Sequence, residues 1–175
     1  DPSIYSQYVN NPGFFDLFVE TKVSIPKVTG FLEGGQLESV AHSYCFRYKT
    51  LDGRLSRLSP VCNPASLPVS NKSVQAAFTS GGNPDENTGK SIKGIIEDID
   101  QRFPFIDMIH IPYINGVPGT AQVFNTISVP QNETTVEWVH TGSEIVREEI
   151  LVEQFGTDNL SWDTCQAMEV KDNRL

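Results

Sequence analysis

Histidines and cysteines are the side chains best suited to metal or nucleophilic chemistry, and the chain has three of each among 175 residues. The histidines are His42, His110 and His140. No cysteine pair has the C-x-x-C spacing of a zinc site, and no serine lies in a G-x-S-x-G elbow. Each histidine falls in a strand pattern, where a packed or surface side chain is commoner than a catalytic one. We therefore expect no catalytic residue, no metal site, no cofactor and no enzymatic activity.

Two short motifs resemble ligand sites without meeting their full requirements. Thr88-Gly89-Lys90-Ser91 looks like the end of a P-loop, but the first glycine of that motif would fall at Pro84, which has no amide hydrogen to bind a phosphate. The acidic run Glu97–Asp100 offers oxygen ligands for Ca²⁺ but lacks EF-hand spacing. We interpret the first as a loop leading into a strand and the second as a solvated strand end.

The cysteines Cys45, Cys62 and Cys165 form an odd set, so they cannot all pair within one chain. Buried free thiols are usual in a reducing compartment. Free thiols are therefore our main interpretation, and a Cys45–Cys62 disulfide is the alternative.

The composition is that of a folded, acidic chain. Apolar residues make up 38% and charged residues 20%, which argues against disorder. Ten phenylalanines and five tyrosines against two methionines favour strands. The net charge of −9 disfavours binding to a nucleic-acid backbone, which requires a basic surface. No apolar run approaches the roughly 20 residues of a membrane-spanning helix.

The clearest local signal is a strand over Ser39–Tyr48. Aromatic side chains occupy every second position there, and smaller or polar ones lie between them: Tyr44, Phe46 and Tyr48 against Ser43, Cys45 and Arg47. This is the period of a half-buried strand. We therefore expect Phe46 to lie in the core.

A hairpin should follow this strand. Asp52-Gly53 supplies the positive-φ positions of a tight reversal. A second strand then continues through Leu55, Leu58 and Val61, with Pro60 at an edge or a bend. Asn71–Phe78 and, near the start of the chain, Phe14–Phe18 predict two more strands.

A second group of strands follows the polar loop Ser80–Gly89. We predict strands over Ser91–Ile96, Phe103–Ile114, Thr120–Val129 and Thr134–His140. Turns should form at Asn115-Gly116 and Pro118-Gly119. The side chains that we expect to be buried there include Phe105, Ile109 and Ile111, and Val136, Trp138 and His140 should share one face of their strand.

One short helix is predicted after these strands. Ser143 can cap it, and Glu144, Arg147 and Glu148 lie near its start. The Ile145-Val146 pair would also suit a strand. Thr164–Leu175 predicts the last strand.

The predicted fold is all-β, with two small fibronectin- or immunoglobulin-like β-sandwich blocks and at most one short helix. The segments are an N-terminal extension or first strands (1–33), a first block (34–79), a polar boundary (80–90), a second block (91–163) and a strand leading into a following domain (164–175). We expect the chain to be a fragment of a longer protein.

Three stretches together resemble the muzzle, or tail-stabilisation, proteins of crAss-like bacteriophages. The first runs from Gly34-Gly35 through the aromatic strand and Asp52-Gly53 to Ser56–Pro60. The second is Asn87–Ile92 followed by the run to Ile106, although family members carry serine at the position of Thr88. The third is Val170–Leu175, which is similar to the start of a propeller blade in that family. The resemblance spans roughly Gly34–Leu175, and the first thirty residues are not matched to it.

The resemblance implies a structural protein of the phage tail, assembled in the bacterial host cytoplasm. It implies a ring of several copies, neighbouring tail and ring proteins, and a following propeller domain. The ring would serve as a conduit and closure through which cargo and DNA pass without specific binding.

Two other functions fit a β-sandwich. The chain could be a bacterial surface module for adhesion or glycan binding, which would need exposed aromatic side chains, although we expect Trp138 and Trp162 to be buried or partly buried. It could also be an accessory domain of a polysaccharide-degrading enzyme. Fold alone does not decide between such functions.

Overall fold

The computed structural model describes residues 21–67, 69 and 83–151, and these form nine strands and no helix. All of them belong to one compact unit, Thr21–Thr157. The strands are β1 (Lys27–Glu33), β2 (Ala41–Lys49), β3 (Ala65–Ser66), β4 (Lys90–Glu97), β5 (Phe105–Ile114), β6 (Val117–Pro118), β7 (Ala121–Ser128), β8 (Thr135–His140) and β9 (Glu148–Ile150). The all-β prediction is confirmed.

Two antiparallel sheets face each other. One has three strands in the order β1-β4-β8, and the other has the order β3-β2-β5-β7-β9, with β6 pairing β5 as a sixth strand. β1 pairs with β4, and β2 pairs with β5 over nine residue pairs. Strands from both sides of the predicted 80–90 boundary therefore share each sheet. The division of the chain into segments 1–33, 34–79, 80–90, 91–163 and 164–175 stays a prediction.

The core lies between the inner faces of the sheets. The six-stranded sheet contributes large side chains from β2, β5 and β7, and the three-stranded sheet contributes those of β4 and β8. A β-bulge in β7 adds one residue opposite Met108 and Ile109, and this residue, Phe124, packs into the same core. The inner residues are Tyr44, Phe46, Tyr48, Ile92, Ile96, Ile106, Met108, Phe124, Val136 and Trp138.

Strand β2 is buried on both faces, so the expectation of a half-buried strand is wrong for its outer face. Cys45 packs there in an apolar cluster with Ile109 and Val123. Arg47 is accommodated because it donates hydrogen bonds to Asp107 and Glu148 on β5 and β9. Thr126 of β7 also donates to Asp107, at 2.7 Å. A charged side chain can be buried when it is paired in this way.

The segment after the Asp52-Gly53 turn is not the regular strand that the sequence predicted. It makes one isolated bridge, between Lys49 and Leu55, and then bonds β2 at every third residue. The residues Ser56, Ser59 and Cys62 donate their backbone N–H groups to the carbonyls of Tyr48, Phe46 and Tyr44. Their Oγ and Sγ atoms accept the backbone N–H groups of the same three residues.

This third-residue repeat, Ser56, Ser59 and Cys62, explains why apolar periodicity misled the strand prediction. In a regular ladder the backbone carbonyls of the segment would accept the N–H groups of β2, but here small side chains accept them. Each step of three residues along the segment therefore corresponds to a step of two residues along β2. Pro60, which has no N–H, falls at a position that the repeat does not use. Its predicted place at an edge or bend agrees with this arrangement.

The short helix predicted after Ser143 is absent, and Glu148–Ile150 form β9 instead. The Glu144 carboxylate closes a turn by accepting hydrogen bonds from the backbone N–H groups of Thr141 and Gly142. Arg147 then donates its N–H to the Val123 carbonyl of β7. The backbone of Arg147 is therefore already paired with β7, and no helical turn forms between Ser143 and β9.

The other predicted strands and the turn at Asn115-Gly116 are confirmed where the structure describes them, but the turn predicted at Pro118-Gly119 is wrong, because Pro118 lies in β6 and pairs with Tyr113. Gly53, Asn115 and Gly116 all have positive φ, as tight reversals require. Ile109 and Ile111 are buried, whereas Phe105 is half-buried. The predicted strands Phe14–Phe18, Asn71–Phe78 and Thr164–Leu175, together with Trp162 and Cys165, lie outside the described residues.

Candidate functional site

The fold brings the three histidines together in the core, which the sequence did not predict. His42 lies on β2 and His110 on β5 of the six-stranded sheet, and His140 lies at the end of β8 in the other sheet. All three are at most 8% exposed. The ring centroids of His110 and His140 are 4.6 Å apart, and those of His42 and His110 are 5.0 Å apart. We call these three residues the histidine cluster.

Hydrogen bonds fix the protons within the cluster. His42 Nε2 lies 3.0 Å from the Glu38 carbonyl oxygen, which can only accept, so this nitrogen carries a hydrogen. In a neutral ring, His42 Nδ1 must then accept from His110 Nε2, 2.9 Å away. One proton thus serves the His42–His110 pair, and a second proton on His42 would set two donors against each other.

His140 joins the two sheets. Its Nδ1 lies 3.0 Å from the Tyr44 hydroxyl of β2, and its Nε2 lies 3.7 Å from the Glu144 carboxylate. The Phe124 ring is 4.2 Å from the His140 ring. Among the described residues, the Tyr44 hydroxyl makes the hydrogen bond that reaches His140 from the opposite sheet, and aromatic rings pack around it.

Burial controls the protonation of all three rings, because a buried imidazole cannot hydrate its charge. Burial lowers the pKa of His42, and burial together with the neighbouring imidazoles lowers the pKa of His110 well below 6.5. Burial also lowers the pKa of His140 to about 4, although the Glu144 carboxylate opposes this. The cluster is therefore neutral near pH 7.

Hydrogen bonds occupy most ring nitrogens of the cluster. Both nitrogens of His42, Nε2 of His110 and Nδ1 of His140 each have a partner. Within residues 21–67 and 83–151, no group of three or more histidine, cysteine or acidic side chains could hold a metal ion. We assign the three histidines to the core, which agrees with the interpretation made from their strand patterns.

The P-loop-like motif is a structural junction. Thr88 donates its backbone N–H and its hydroxyl to the Leu37 carbonyl, at 2.9 and 2.7 Å. The Gly89 carbonyl accepts from the N–H groups of Gly34 and Gly35. Lys90 then begins β4, so the interpretation of a loop leading into a strand is confirmed. These groups anchor the end of the polar loop to the segment between β1 and β2.

The acidic run after β4 is neutralised by basic side chains. Glu97 pairs with Lys27, and Asp98 pairs with Lys22 at 2.9 Å. Asp100 pairs with Arg102 at 2.6 Å, and this hydrogen bond lowers the pKa of the carboxyl group. The carboxylates point to separate partners rather than to a common centre. Glu97 and Asp98 are exposed, as expected for a solvated strand end, whereas Asp100 is buried, so this expectation is wrong for Asp100.

Cys45 and Cys62 are free thiols. Burial raises the pKa of Cys45 to about 12 and also raises that of Cys62. A thiol must ionise to act as a nucleophile or a metal ligand. Both cysteines are therefore protonated, inert parts of the core.

A cavity of about 370 Å³ is lined by residues of both sheets. Gly94 and Trp138 line one wall, and Asn125 and Ile127 of β7 line another. The Trp138 ring also contacts Tyr44, with centroids 4.5 Å apart. Its buried Nε1 has no hydrogen-bond acceptor among the described residues. Trp138 therefore separates this cavity from the cluster.

Comparison with known families gives the decisive observation. The profile described as Crassvirus muzzle protein matches residues 2–175. The chain belongs to this family. No curated protein matches the sequence.

Membership in the Crassvirus muzzle family makes this chain a structural component of the phage tail. The resemblance inferred from the glycine-led opening, the aromatic strand and the Asn87–Ile92 loop is confirmed. A packed core is what a structural component requires. In the part of the chain that the structure describes, no helix is long and apolar enough to cross a membrane.

A signal for the cluster was present in this muzzle-family sequence. His42 has the same parity as Tyr44, Phe46 and Tyr48, and His140 has the same parity as Trp138, so both were predictable inner-face residues. His110 was hidden because both faces of β5 are apolar. Only the register of β2 against β5, which places Tyr44 opposite His110, brings the rings together.

Proposed function

We propose that this chain is a rigid wall element of the crAss-like phage tail, which forms a ring-like conduit with other copies and closes it until cargo and DNA leave. The family match over residues 2–175 carries this proposal. Contacts with neighbouring tail and ring proteins would hold the ring in place, after assembly in the host cytoplasm. We also expect a propeller domain to follow this segment in the longer protein.

The sandwich has the stiffness that a wall element needs. Large side chains pack between the sheets next to the cavity at Trp138, and the outer face of the six-stranded sheet carries a second apolar cluster around Cys45 and Ile109. Arg47, Asp107 and Glu148 add an ion network that joins β2, β5 and β9, and its Arg47 and Asp107 side chains are buried. Such interiors are close-packed and transmit strain instead of absorbing it.

The acidic charge supports passage of DNA without binding. A surface that holds DNA needs cations to neutralise phosphates, whereas this chain has 22 acidic residues against 13 lysines and arginines. We expect its charge to repel DNA at low salt, where screening is weakest.

Exposed apolar side chains on loops are the contacts that we propose between copies or with neighbouring tail proteins. Leu51, in the turn after β2, is 83% exposed, and Ile145, before β9, is 86% exposed. A Leu51→Ser variant should fold normally and be incorporated less into particles than Glu33→Ser, which changes an exposed polar position at the end of β1. Equal incorporation would exclude Leu51 as a contact.

The first experiment is peptide mapping of purified virions together with reconstruction of their tails. Peptides of this chain should appear with portal and capsid proteins, and density for the sandwich should repeat around the tail axis. Density in a single copy, or away from the axis, would contradict the conduit. A second measurement is DNA binding between about 50 and 200 mM salt, where affinity should stay undetectable throughout.

The adhesion or glycan-binding alternative gains no support from the described residues. Glycan sites commonly present an aromatic face to solvent, but Trp138 is only 2% exposed. Its ring is occupied by contacts with Tyr44 and Phe124.

A further inference from the structure

The histidine cluster spans the interface between the sheets. His42 and His110 belong to the six-stranded sheet, and His140 belongs to the three-stranded sheet. Protonation would therefore place like charges on opposite sides of one packed interface, with two rings only 4.6 Å apart. Like charges at that distance in a poorly hydrated interior repel strongly.

Few groups near the cluster could neutralise such charges. The titratable side chains that face it are Tyr44 from β2, Cys62 from the third-residue repeat and Glu144 from the turn after β8. Glu38 contributes a carbonyl oxygen, which is already used by His42. From β7 the facing side chain is Phe124, which carries no charge. Among the described residues, only Glu144 can offset a proton, and it lies beside His140 alone.

Glu144 also links the cluster to the strand junction. Its carboxylate accepts hydrogen bonds from Thr141 and Gly142, and the Thr141 carbonyl accepts the N–H of Gln36. Gln36 lies in the segment that leads from β1 to β2. A change in the charge of His140 or Glu144 would therefore disturb the turn that fixes the end of β8 to this segment.

We propose that the histidine cluster is an acid-sensitive joint, which releases the three-stranded sheet from the six-stranded sheet when its imidazoles take up protons. His140 is the first site because Tyr44 can turn its hydroxyl and accept from a protonated Nδ1. The His42–His110 pair follows, because its shared hydrogen bond excludes a second proton. The cavity beside Trp138 gives water a short approach to the interface once β8 loosens.

The test uses the full chain, which contains no histidine outside the cluster. Imidazole C–H signals in NMR therefore report these three rings alone. Amide hydrogen exchange, corrected for its intrinsic pH dependence, would be followed by strand from about pH 7 to pH 3.5. We expect exchange in β1, β4 and β8 to rise as the imidazoles titrate, while the β2–β5 ladder stays protected.

Two other results of the exchange experiment would contradict the proposal of an acid-sensitive joint. Simultaneous loss of protection in both sheets would mean general acid unfolding. Titration of the imidazoles with unchanged exchange would mean that the interface tolerates the charges.

A matched pair of variants tests the role of His140. His140→Gln keeps a hydrogen-bonding side chain that cannot be charged, and Glu137→Gln changes an exposed side chain on the same strand. Both would be made with Trp162→Phe, which leaves Trp138 as the only tryptophan and a fluorescent probe of the interface. The acid-induced change in Trp138 emission should persist in Glu137→Gln and shift by at least about one pH unit in His140→Gln. An identical change in both variants would contradict the proposal, and the wild-type exchange data decide the matter if His140→Gln does not fold.

Discussion

At the scale of single residues, the core depends on aromatic side chains that the sequence marks clearly. Phe46 was expected in the core because it alternates with Tyr44 and Tyr48, and it is 1% exposed. Its ring contacts Tyr48 edge to face, with centroids 5.3 Å apart. Alternation alone was enough for this placement, because a strand sends every second side chain to the same face.

We therefore expect Phe46→Ala to lower the free energy of unfolding by about 3–5 kcal/mol, because it leaves a cavity in a closed interior. Phe31→Ala is the control, since Phe31 is 47% exposed on edge strand β1. Urea unfolding gives both values. A loss for Phe46→Ala no larger than that for the control would show that the core can close around the missing ring.

Gly94 shows a constraint that residue type does not reveal. A Cβ atom there would lie 2.2 Å from Trp138 Cζ2 and 2.4 Å from the Lys27 carbonyl oxygen, both far inside contact distance. Gly94→Ala should cost roughly 1–3 kcal/mol, because the indole and the β1 backbone must move. Gly30→Ala in β1 is the matched control, since its Cβ would meet only the flexible Lys93 side chain, at 3.2 Å. Equal melting temperatures for the two variants would refute this close approach.

At the scale of elements, strands with a clear alternation of side chains were predictable. Segments in which side chains replace backbone hydrogen-bond acceptors were not. The sequence marks β2 and β8 because one face is aromatic or apolar throughout. It does not mark the third-residue repeat, since a serine that accepts a backbone N–H looks like any loop serine. The predicted helix failed for a related reason: Glu144 closes a turn with Thr141 and Gly142, an arrangement that helical propensity does not describe.

The third-residue repeat leads to an element-scale prediction. Ser59→Ala removes the Oγ atom that accepts the Phe46 N–H at 2.9 Å. A backbone donor left without a partner costs about 1–3 kcal/mol. Ser66→Ala in β3, an exposed position, should cost much less. Chemical denaturation measures the difference, and equal stabilities would mean that water replaces the serine oxygen.

At the scale of the whole molecule, acid should destabilise the fold in two steps. The pKa of His140 falls from 6.5 in the unfolded chain to about 4 in the folded one, so the unfolded state binds the proton first. Its contribution is complete above pH 6.5 and is lost as the pH falls towards 4. At about 1.4 kcal/mol per unit of pKa, this amounts to roughly 3 kcal/mol.

The carboxylates add a second, more acidic step of the same sign. The pKa values of Glu144, Asp100 and Asp52 are lowered by hydrogen bonds in the folded chain, so their contributions are lost only as the pH falls below about 4.5. Urea midpoints measured at intervals across this range should fall first through the histidine window. A flat profile from pH 6.5 to 4.5 would show that burial does not lower the pKa of these imidazoles, because the folded and unfolded chains would then bind protons equally.

The third-residue repeat also bears on how the chain behaves when it is concentrated. An open sheet edge presents a row of unused amide and carbonyl groups on which another chain can grow. Along β2, the groups of Tyr44, Phe46 and Tyr48 are already taken by the adjoining segment, whose own three-for-two spacing is a poor template for a further strand. Copies made at high local concentration therefore cannot aggregate by adding a strand to this edge of β2. Contacts between copies must instead form through side-chain surfaces of complementary shape.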